Sequence, residues 1–301
     1  MPSVVNPSKA HSTAEEIKTK RDEVLLIDFH NLAMRNLFAQ PYDPTDVSFL
    51  GFRIAMLMSI RKLARDFKPN RIIFCREAHD RNWRSDVYEE YKVNRIAARA
   101  SSTVDFEAFF PVNDSFVQGL KDSMKNCQFL TVPHLEADDL IASIVMNKPE
   151  WNITLVSTDK DFYQLHTHRN FKQYDPIKNE FVAVMNPDAA LAEKIVRGDR
   201  SDNIPPLKKG VGQKTFAKIY SDGLQDWVTT NFLQEAFDRN TQLISFKAIP
   251  LEYQKQVKDA VDSFQPGDFD ARSFYNFVIS GGMGGFLDKI NDFINIIKDV
   301  K

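Results

Sequence analysis

Cysteine is scarce in this chain, and so are most features that would mark a specialised class. Two cysteines in 301 residues, Cys75 and Cys127, cannot build a disulfide framework. Both lie in apolar runs, which predicts buried thiols in a reducing compartment. The six histidines show no zinc spacing with cysteine or with one another. No apolar run approaches the roughly 18–20 residues of a membrane span, the stretch 140–146 being among the best, so no membrane association is expected. The opening MPSVVNPSKAHSTAEEIKTKRDE has no apolar core and no cleavage signature, and no secretory signal is read there. With 11 glycines and 14 prolines the chain is neither collagenous nor of low complexity. Charge of one sign is not in excess: 39 basic against 41 acidic residues give a net charge of −2, which excludes a protein that coats DNA by global charge. The P-loop pattern G-x-x-x-x-G-K-[ST] is missing, as is any long-period repeat.

What remains is an ordinary folded composition, 43% hydrophobic and 27% charged, long enough for one large core or two modest domains. Residues 1–20 read as a flexible polar leader. VLLID at 24–28, RIIFC at 71–75, QFLTV at 128–132 and NITLVS at 152–157 are short apolar runs of the buried-strand type. Helical spacing separates them, from 49 to 67 and in LEADDLIASIVM, which opens on acids. Alternating strands and helices predict an α/β fold with a mostly parallel central sheet and helices on both faces. Right-handed crossovers put the carboxyl ends of all the strands on one edge, where open sheets bind ligands.

Acids follow every one of those four strands: Asp28, then Glu77, then Glu136, Asp138 and Asp139, then Asp159 and Asp161. Two anions about 4 Å apart repel by roughly 4 kcal/mol at an effective dielectric near 20, so such a gathering needs cations or protons. Hard oxygen donors suit Mg²⁺ or Mn²⁺. On a regular helix Glu136 and Asp139 share a face while Asp138 points away, so the three converge only if Glu136 lies at or before the first turn. Any one of these acids alone would read equally well as a helix N-cap.

Residues 83–99, WRSDVYEEYKVNRIAAR, place Arg84, Lys92, Arg95 and Arg99 with Tyr88 and Tyr91 on one helical arc of about 100°. Cations interleaved with aromatics suit a single nucleic-acid strand, through phosphate neutralisation and base stacking. A second basic region runs from Arg197 to Lys218, with six basic and two acidic residues. It contains GDRSDN, which adds Asp199 and Asp202, and LKKGVGQKT, where Gly210 and Gly212 make a tight turn into a helix and Lys208, Lys209 and Lys214 add charge. From 221 onward the chain reads as phenylalanine-rich packing helices, with a loop at 280–285.

The ordered set LLIDFHNLA, W-R followed by Y-K-x-N-R, LEADDLIA, STDKDFYQLH, GDRSDNIP and a glycine hairpin resembles the 5′-nuclease (flap endonuclease) family over roughly 24–290. Within that family it is most similar to the ribonuclease H enzymes of T-even bacteriophages. The resemblance implies a PIN-like nuclease core over 21–195 with a helical arch at about 83–118. A helix-three-turn-helix near 195–220 and a smaller helical C-terminal part would complete 196–301. It implies a Mg²⁺-dependent 5′→3′ exonuclease and flap endonuclease that removes RNA primers and adjacent DNA during lagging-strand replication. Two Mg²⁺ ions are implied, with Mn²⁺ able to substitute, and K⁺ is a candidate at the hairpin. One metal group matches Asp28, Glu77, Glu136 and Asp138, and the other Asp139, Asp159, Asp161, Asp199 and Asp202. Arg84 and Lys92 match catalytic arch residues, and Arg95 one that meets the 5′ strand. The implied partners are branched DNA and RNA–DNA hybrids, a single-stranded-DNA-binding protein and a sliding clamp. A monomer is expected, in the bacterial cytoplasm if the gene is a phage's. Glu77 stands where relatives usually carry Asp, and PPLKKGVG makes the hairpin one residue longer than in many relatives. Two other classes compete: a non-catalytic junction-binding protein, and a Mg²⁺ phosphohydrolase acting on small substrates, though the latter's D-x-D is replaced here by Asp28-Phe29-His30.

Overall fold

A computed structural model describes residues 21–300 apart from 42 and 44; the leader at 1–20 lies outside the described residues. The first strand, β1 (Glu23–Asp28), has every side chain buried after its first residue and runs straight into α1 (Phe29–Phe38). α2 (Leu50–Phe67) and β2 (Arg71–Cys75) follow as the periodicity predicts. Then come three helices, α3 (Arg84–Val87), α4 (Asn94–Ala100) and α5 (Phe106–Ser123). β3 (Gln128–Leu130), α6 (Ala137–Asn147) and β4 (Asn152–Val156) complete the set of acid-bearing strand ends. Two strands not read from the sequence, β5 (Phe171–Asp175) and β6 (Glu180–Phe181), extend the sheet. Six helices follow: α7 (Pro187–Arg197), α8 (Gln213–Thr230), α9 (Gln234–Ile244), α10 (Leu251–Asp262), α11 (Ala271–Ser280) and α12 (Ile290–Ile297). No helix among the described residues is long and apolar enough to cross a membrane.

The sheet order is β3-β2-β1-β4-β5-β6, parallel except for the β5–β6 pair. Strand alternation divides the apolar side chains between two layers. Leu25, Ile27, Ile72 and Phe74 face a cluster built with α1, α2, α5, α11 and α12. Val24, Leu26, Ile73 and Leu155 face a second cluster with α6 and α10. Two buried faces explain why the strands read as unbroken apolar runs. Within the stretch 196–301, expected as one helical part, Phe246, Val257, Phe274 and Phe293 pack into these two sheet clusters. α7, α8 and α9 gather around two small clusters, one of which also takes in Tyr88 and Tyr91. Gly119 permits the α5–α11 contact: a Cβ there would stand 2.2 Å from the Phe277 ring.

The single helix predicted over 83–99 is broken. Tyr88 is extended (φ −146°) and Lys92 adopts φ +59°, a left-handed conformation that interrupts the helix between α3 and α4. Tertiary bonds hold that turn. Lys92 donates its backbone N–H to the Asp202 carbonyl at 3.0 Å. Asn94 donates to the Arg200 carbonyl at 2.9 Å, and Asn203 to the Glu90 carbonyl at 2.8 Å. The common arc of four cations and two tyrosines therefore does not exist on one helix, and its members take separate places.

Candidate metal centre

The four acid-bearing strands are neighbours in the sheet, so their carboxyl ends open onto one cleft. Asp28 ends β1 and caps α1, accepting from the Asn31 N–H at 3.1 Å. It also accepts from the Ser157 hydroxyl, at 3.0 Å, just past the end of β4. Ser157 Oγ in turn accepts the Asp159 N–H, and Asp159 caps the 3₁₀ turn that follows, accepting from the Asp161 N–H at 2.8 Å. Gln173, fully buried on β5, donates to the carbonyls of Ser157 and Asp159 and pins this loop from below. Glu136 occupies the N-cap of α6, before the first turn. That is the condition under which Glu136 and Asp138 can share the cleft, and both line it together with Asp28, Glu77 and Asp159.

Two triads result. Asp138, Asp159 and Asp161 offer carboxylate oxygens all within 4.8 Å of one another, and Asp161, Asp199 and Asp202 do the same. Asp161 belongs to both. Six or more acidic oxygens, with few apolar neighbours, form a donor set for hard divalent cations rather than for zinc-type N/S coordination. The protein's own cations only partly compensate. Lys92 pairs with Glu136 and stands 3.8 Å from Asp202. Arg95 holds Asp202 at 2.7 Å. Lys194 of α7 pairs with Asp161 and lies 2.7 Å from Asp199. Arg84, 3.5 Å from Glu136, adds a fourth, so with Asp139 set aside eight carboxyl groups face four cations.

Protonation reflects that imbalance. Burial, reinforced by the Asp159 and Glu77 charges, pushes Asp28 up to about 7 despite its hydrogen bonds from Asn31 and Ser157. Asp138 is raised well above the usual carboxylate range by burial and by Asp159 and Asp28. Asp161 is raised to about 6 by burial and Asp159, against the pull of Lys194. Glu136 goes the other way: burial opposes ionisation, but Lys92 and Arg84 hold its carboxyl down to about 2. Groups that keep protons where carboxylates normally lose them form a site that cations would discharge.

Two residues assigned from sequence do not belong to the cleft. Asp139, expected as a metal ligand, is fully buried. Its two oxygens accept from Arg84 at 2.7 and 2.8 Å, and one also accepts from Trp83 Nε1 at 3.2 Å and from the Glu136 N–H at 3.2 Å. Arg84, expected to meet a scissile phosphate, is 3% exposed and also donates to the Leu243 carbonyl. The pair ties α3, α6 and α9 together and fixes the α6 N-terminus that presents Glu136 and Asp138. Tyr91, expected to stack a base, is buried with its hydroxyl on Glu136 at 2.9 Å. Tyr88 is part-buried against the α7–α9 cluster, with Arg239 over its ring at 5.4 Å. Arg99 is exposed on α4 over the Phe110 ring at 5.3 Å. Lys208, Lys209, Gly210 and Gly212 are exposed on the α7–α8 connection, and Lys214 is exposed in the first turn of α8. There Gly210 takes φ +85°, a conformation glycine adopts without strain. Lys194, Ser157 and Asn31 were not singled out from sequence; no local pattern marks them, because their partners are brought to them only by the sheet.

The family model for the 5′-3′ exonuclease N-terminal resolvase-like domain matches residues 23–195. The ribonuclease H of Enterobacteria phage T4 is 27% identical over 297 residues, covering 91% of this chain and 96% of that protein. The flap endonuclease Xni of Shewanella baltica is 28% identical over 219 residues, covering 66% of this chain and 74% of its own length. In fold, the chain is similar to the flap endonuclease of bacteriophage T5 solved as a pseudo-enzyme-product complex with DNA and metal ions, at TM-score 0.59 and 19% identity over 91% of this chain and 99% of that one. The strand ends that carry its acids lie within the matched domain, and on that match the chain belongs to the 5′-3′ exonuclease family and is a metal-dependent nuclease.

Proposed function

We propose that this nuclease is a Mg²⁺-dependent 5′→3′ exonuclease and flap endonuclease of ribonuclease H type, cutting phosphodiesters at 5′ flaps, nicks and RNA–DNA hybrids. The observation that carries the reading is the pair of acid triads sharing Asp161 at the carboxyl ends of adjacent strands. Asp28, Glu77, Glu136 and Asp138 on one side, and Asp159, Asp161, Asp199 and Asp202 on the other, would hold two ions, with Mn²⁺ able to replace Mg²⁺. Divalent ions there supply Lewis-acid activation of the phosphodiester and a nucleophile at neutral pH.

The chain's own residues bind and orient. Lys92 lines the cleft and is kept charged by Glu136 and Asp202 even though burial opposes it. Its ammonium would stabilise charge developing on the transferred phosphoryl group. Arg95, beside it, meets the phosphate of the 5′ strand. The exposed lysines around Gly210 and Gly212 grip the duplex backbone, with K⁺ a candidate cation at that turn. Arg84 and Asp139 act through the α6 N-terminus they set, and Arg84 also stands 3.5 Å from the Glu136 carboxylate. Primer removal on the lagging strand is the biological task proposed with this activity; the names of two relatives, a ribonuclease H and a flap endonuclease, speak for cutting hybrids and flaps. A single-stranded-DNA-binding protein and a sliding clamp are the partners proposed with it, a monomer in the bacterial cytoplasm the proposed state. A 5′-labelled flap should be cut with Mg²⁺ and left whole without it, and Asp159→Asn should abolish cutting while keeping DNA binding. Wild-type cutting by Asp159→Asn would refute the metal assignment.

A further inference from the structure

Two acids of the second triad, Asp199 and Asp202, reach it on a short loop, 198–205, that leaves the C-terminus of α7. That loop is closed on itself. Asp199 and Ile204 exchange both backbone hydrogen bonds, at 2.9 and 2.7 Å. The Asp199 carboxylate also accepts from the Ser201 N–H at 2.7 Å and from the Ser201 hydroxyl at 2.6 Å. Gly198 makes the entry with φ +67°, and a Cβ there would stand 2.3 Å from the Ile204 carbonyl oxygen. Asp199 and Asp202 are therefore carried as one stiff piece, and their placement against Asp161 depends on how the base of that piece is held.

Two carbonyls form the base. A helix leaves its last carbonyls without helical partners. In α7 the Ile195 carbonyl would ordinarily accept from the Asp199 N–H, which goes to Ile204 instead. The Pro205 carbonyl closes the other side of the loop. One side chain serves both: Asn240, fully buried on α9, donates through Nδ2 to the Ile195 and Pro205 carbonyls, each at 2.9 Å. Its Oδ1 accepts from the Arg239 guanidinium at 3.0 and 3.2 Å, and that guanidinium lies over the Tyr88 ring. The amide is thus fully used and its orientation is set. The bonds that Asn94 and Asn203 make at the tip of the loop are exposed to water, whereas the Asn240–Ile195 bond is buried, where a hydrogen bond is stronger and its loss leaves a carbonyl unpaired.

We propose that Asn240 is a positioning residue of the metal centre: from α9 it fixes the loop that carries Asp199 and Asp202, and so sets how tightly the ion they share with Asp161 is held. The inference deepens the two-ion reading above and rests on it. Without the two donated bonds the base of the loop shifts, and the Asp199 and Asp202 oxygens lose their fixed relation to Asp161. The ion held from the side of Asp28, Glu77, Glu136 and Asp138 does not depend on Asn240.

The test counts Mn²⁺ bound to the full chain without DNA, by electron paramagnetic resonance, and needs no turnover. The parent should take up two ions. In Asn240→Leu, which keeps the volume and removes both donors, one ion should bind at least about tenfold more weakly and the other within about twofold of the parent. Cutting of a 5′ flap should then need about tenfold more Mg²⁺ and recover to within about threefold of the parent rate at saturation, with KM for the flap unchanged. Asn126→Leu is the control for mere loss of stability. Asn126, buried just before β3 at the amino-terminal edge of the sheet, donates in the same manner to the Ile297 and Val300 carbonyls, at 2.7 and 2.8 Å. That variant should lose melting temperature as Asn240→Leu does and bind both ions as the parent does. Should Asn240→Leu not fold, Asn240→Ser, too short to reach both carbonyls, must show the same selective loss. Both ions bound at parental strength by a folded Asn240 variant, equal weakening of both ions in it, or the same selective weakening in Asn126→Leu overturns this inference alone. A parent that binds no more than one ion refutes the two-ion reading and this inference with it.

Discussion

Arg84 and Asp139 make the sharpest perturbation available, because sequence and structure assign them different jobs. Arg84→Met keeps the length of the side chain and deletes its charge. Asp139 is then left with no solvent and only the Trp83 indole N–H and the Glu136 N–H, both at 3.2 Å. Removing one partner of a buried ion pair costs about 3–5 kcal/mol, since the other charge stays desolvated. At roughly 2–3 °C per kcal/mol for a chain of this size, the melting temperature should fall by about 6–15 °C. Arg84→Met combined with Asp139→Leu removes both charges and should regain most of that loss, ending within about 5 °C of the parent. Calorimetry in chelator, without divalent ions, separates this from any effect on metal binding. A fall of less than about 2 °C in the single variant, or additive losses in the double, would refute the claim that the pair is a structural strut. A catalytic guanidinium facing the cleft would instead leave the melting point unchanged and abolish turnover.

Three further outcomes follow from the same geometry. Asp28 and Asp161 keep protons up to about 7 and about 6 in the fold, whereas an unfolded chain releases them near 3.9. Between those values the folded state binds more protons, so the metal-free protein should lose stability as pH rises from about 4 to 7. Mg²⁺ displaces those protons, so its stabilising shift should be larger at about pH 7.5 than at about pH 5.5, and equal thermal shifts at both would contradict it. Lys194→Met removes the ammonium paired with Asp161 and Asp199, so activity should saturate at a Mg²⁺ concentration about tenfold lower; an unchanged titration curve would count against competition at that triad. Lys208→Ala with Lys209→Ala should weaken duplex binding and reduce the slope of log affinity against log salt by about 2, read by fluorescence anisotropy over a salt series; an unaltered slope would remove those lysines from the interface.

Much of the site was legible in the chain itself. Four apolar runs, each too short for a helix and each followed by acids, fix parallel strands whose carboxyl ends must meet, so Asp28, Glu77, Glu136, Asp138, Asp159 and Asp161 could be named before any coordinates. Hydrophobic periodicity reports which face of a segment is buried, and against a sheet that suffices. It does not report what a polar residue meets. On a helical wheel Arg84, Lys92 and Arg95 are equivalent members of one basic stripe. In the fold the left-handed turn at Lys92 sends them to three different acids, Asp139, Glu136 and Asp202, that lie 55, 44 and 107 residues away. Among the acids the same holds: Asp138 and Asp139 are adjacent in sequence, but one turn of α6 aims the first into the cleft and the second into the core. The sequence by itself determined that carboxylates would crowd one edge of a parallel sheet. Only tertiary packing decided which of them keep solvent and can take an ion, because desolvation and pairing depend on neighbours that the chain brings together from far apart.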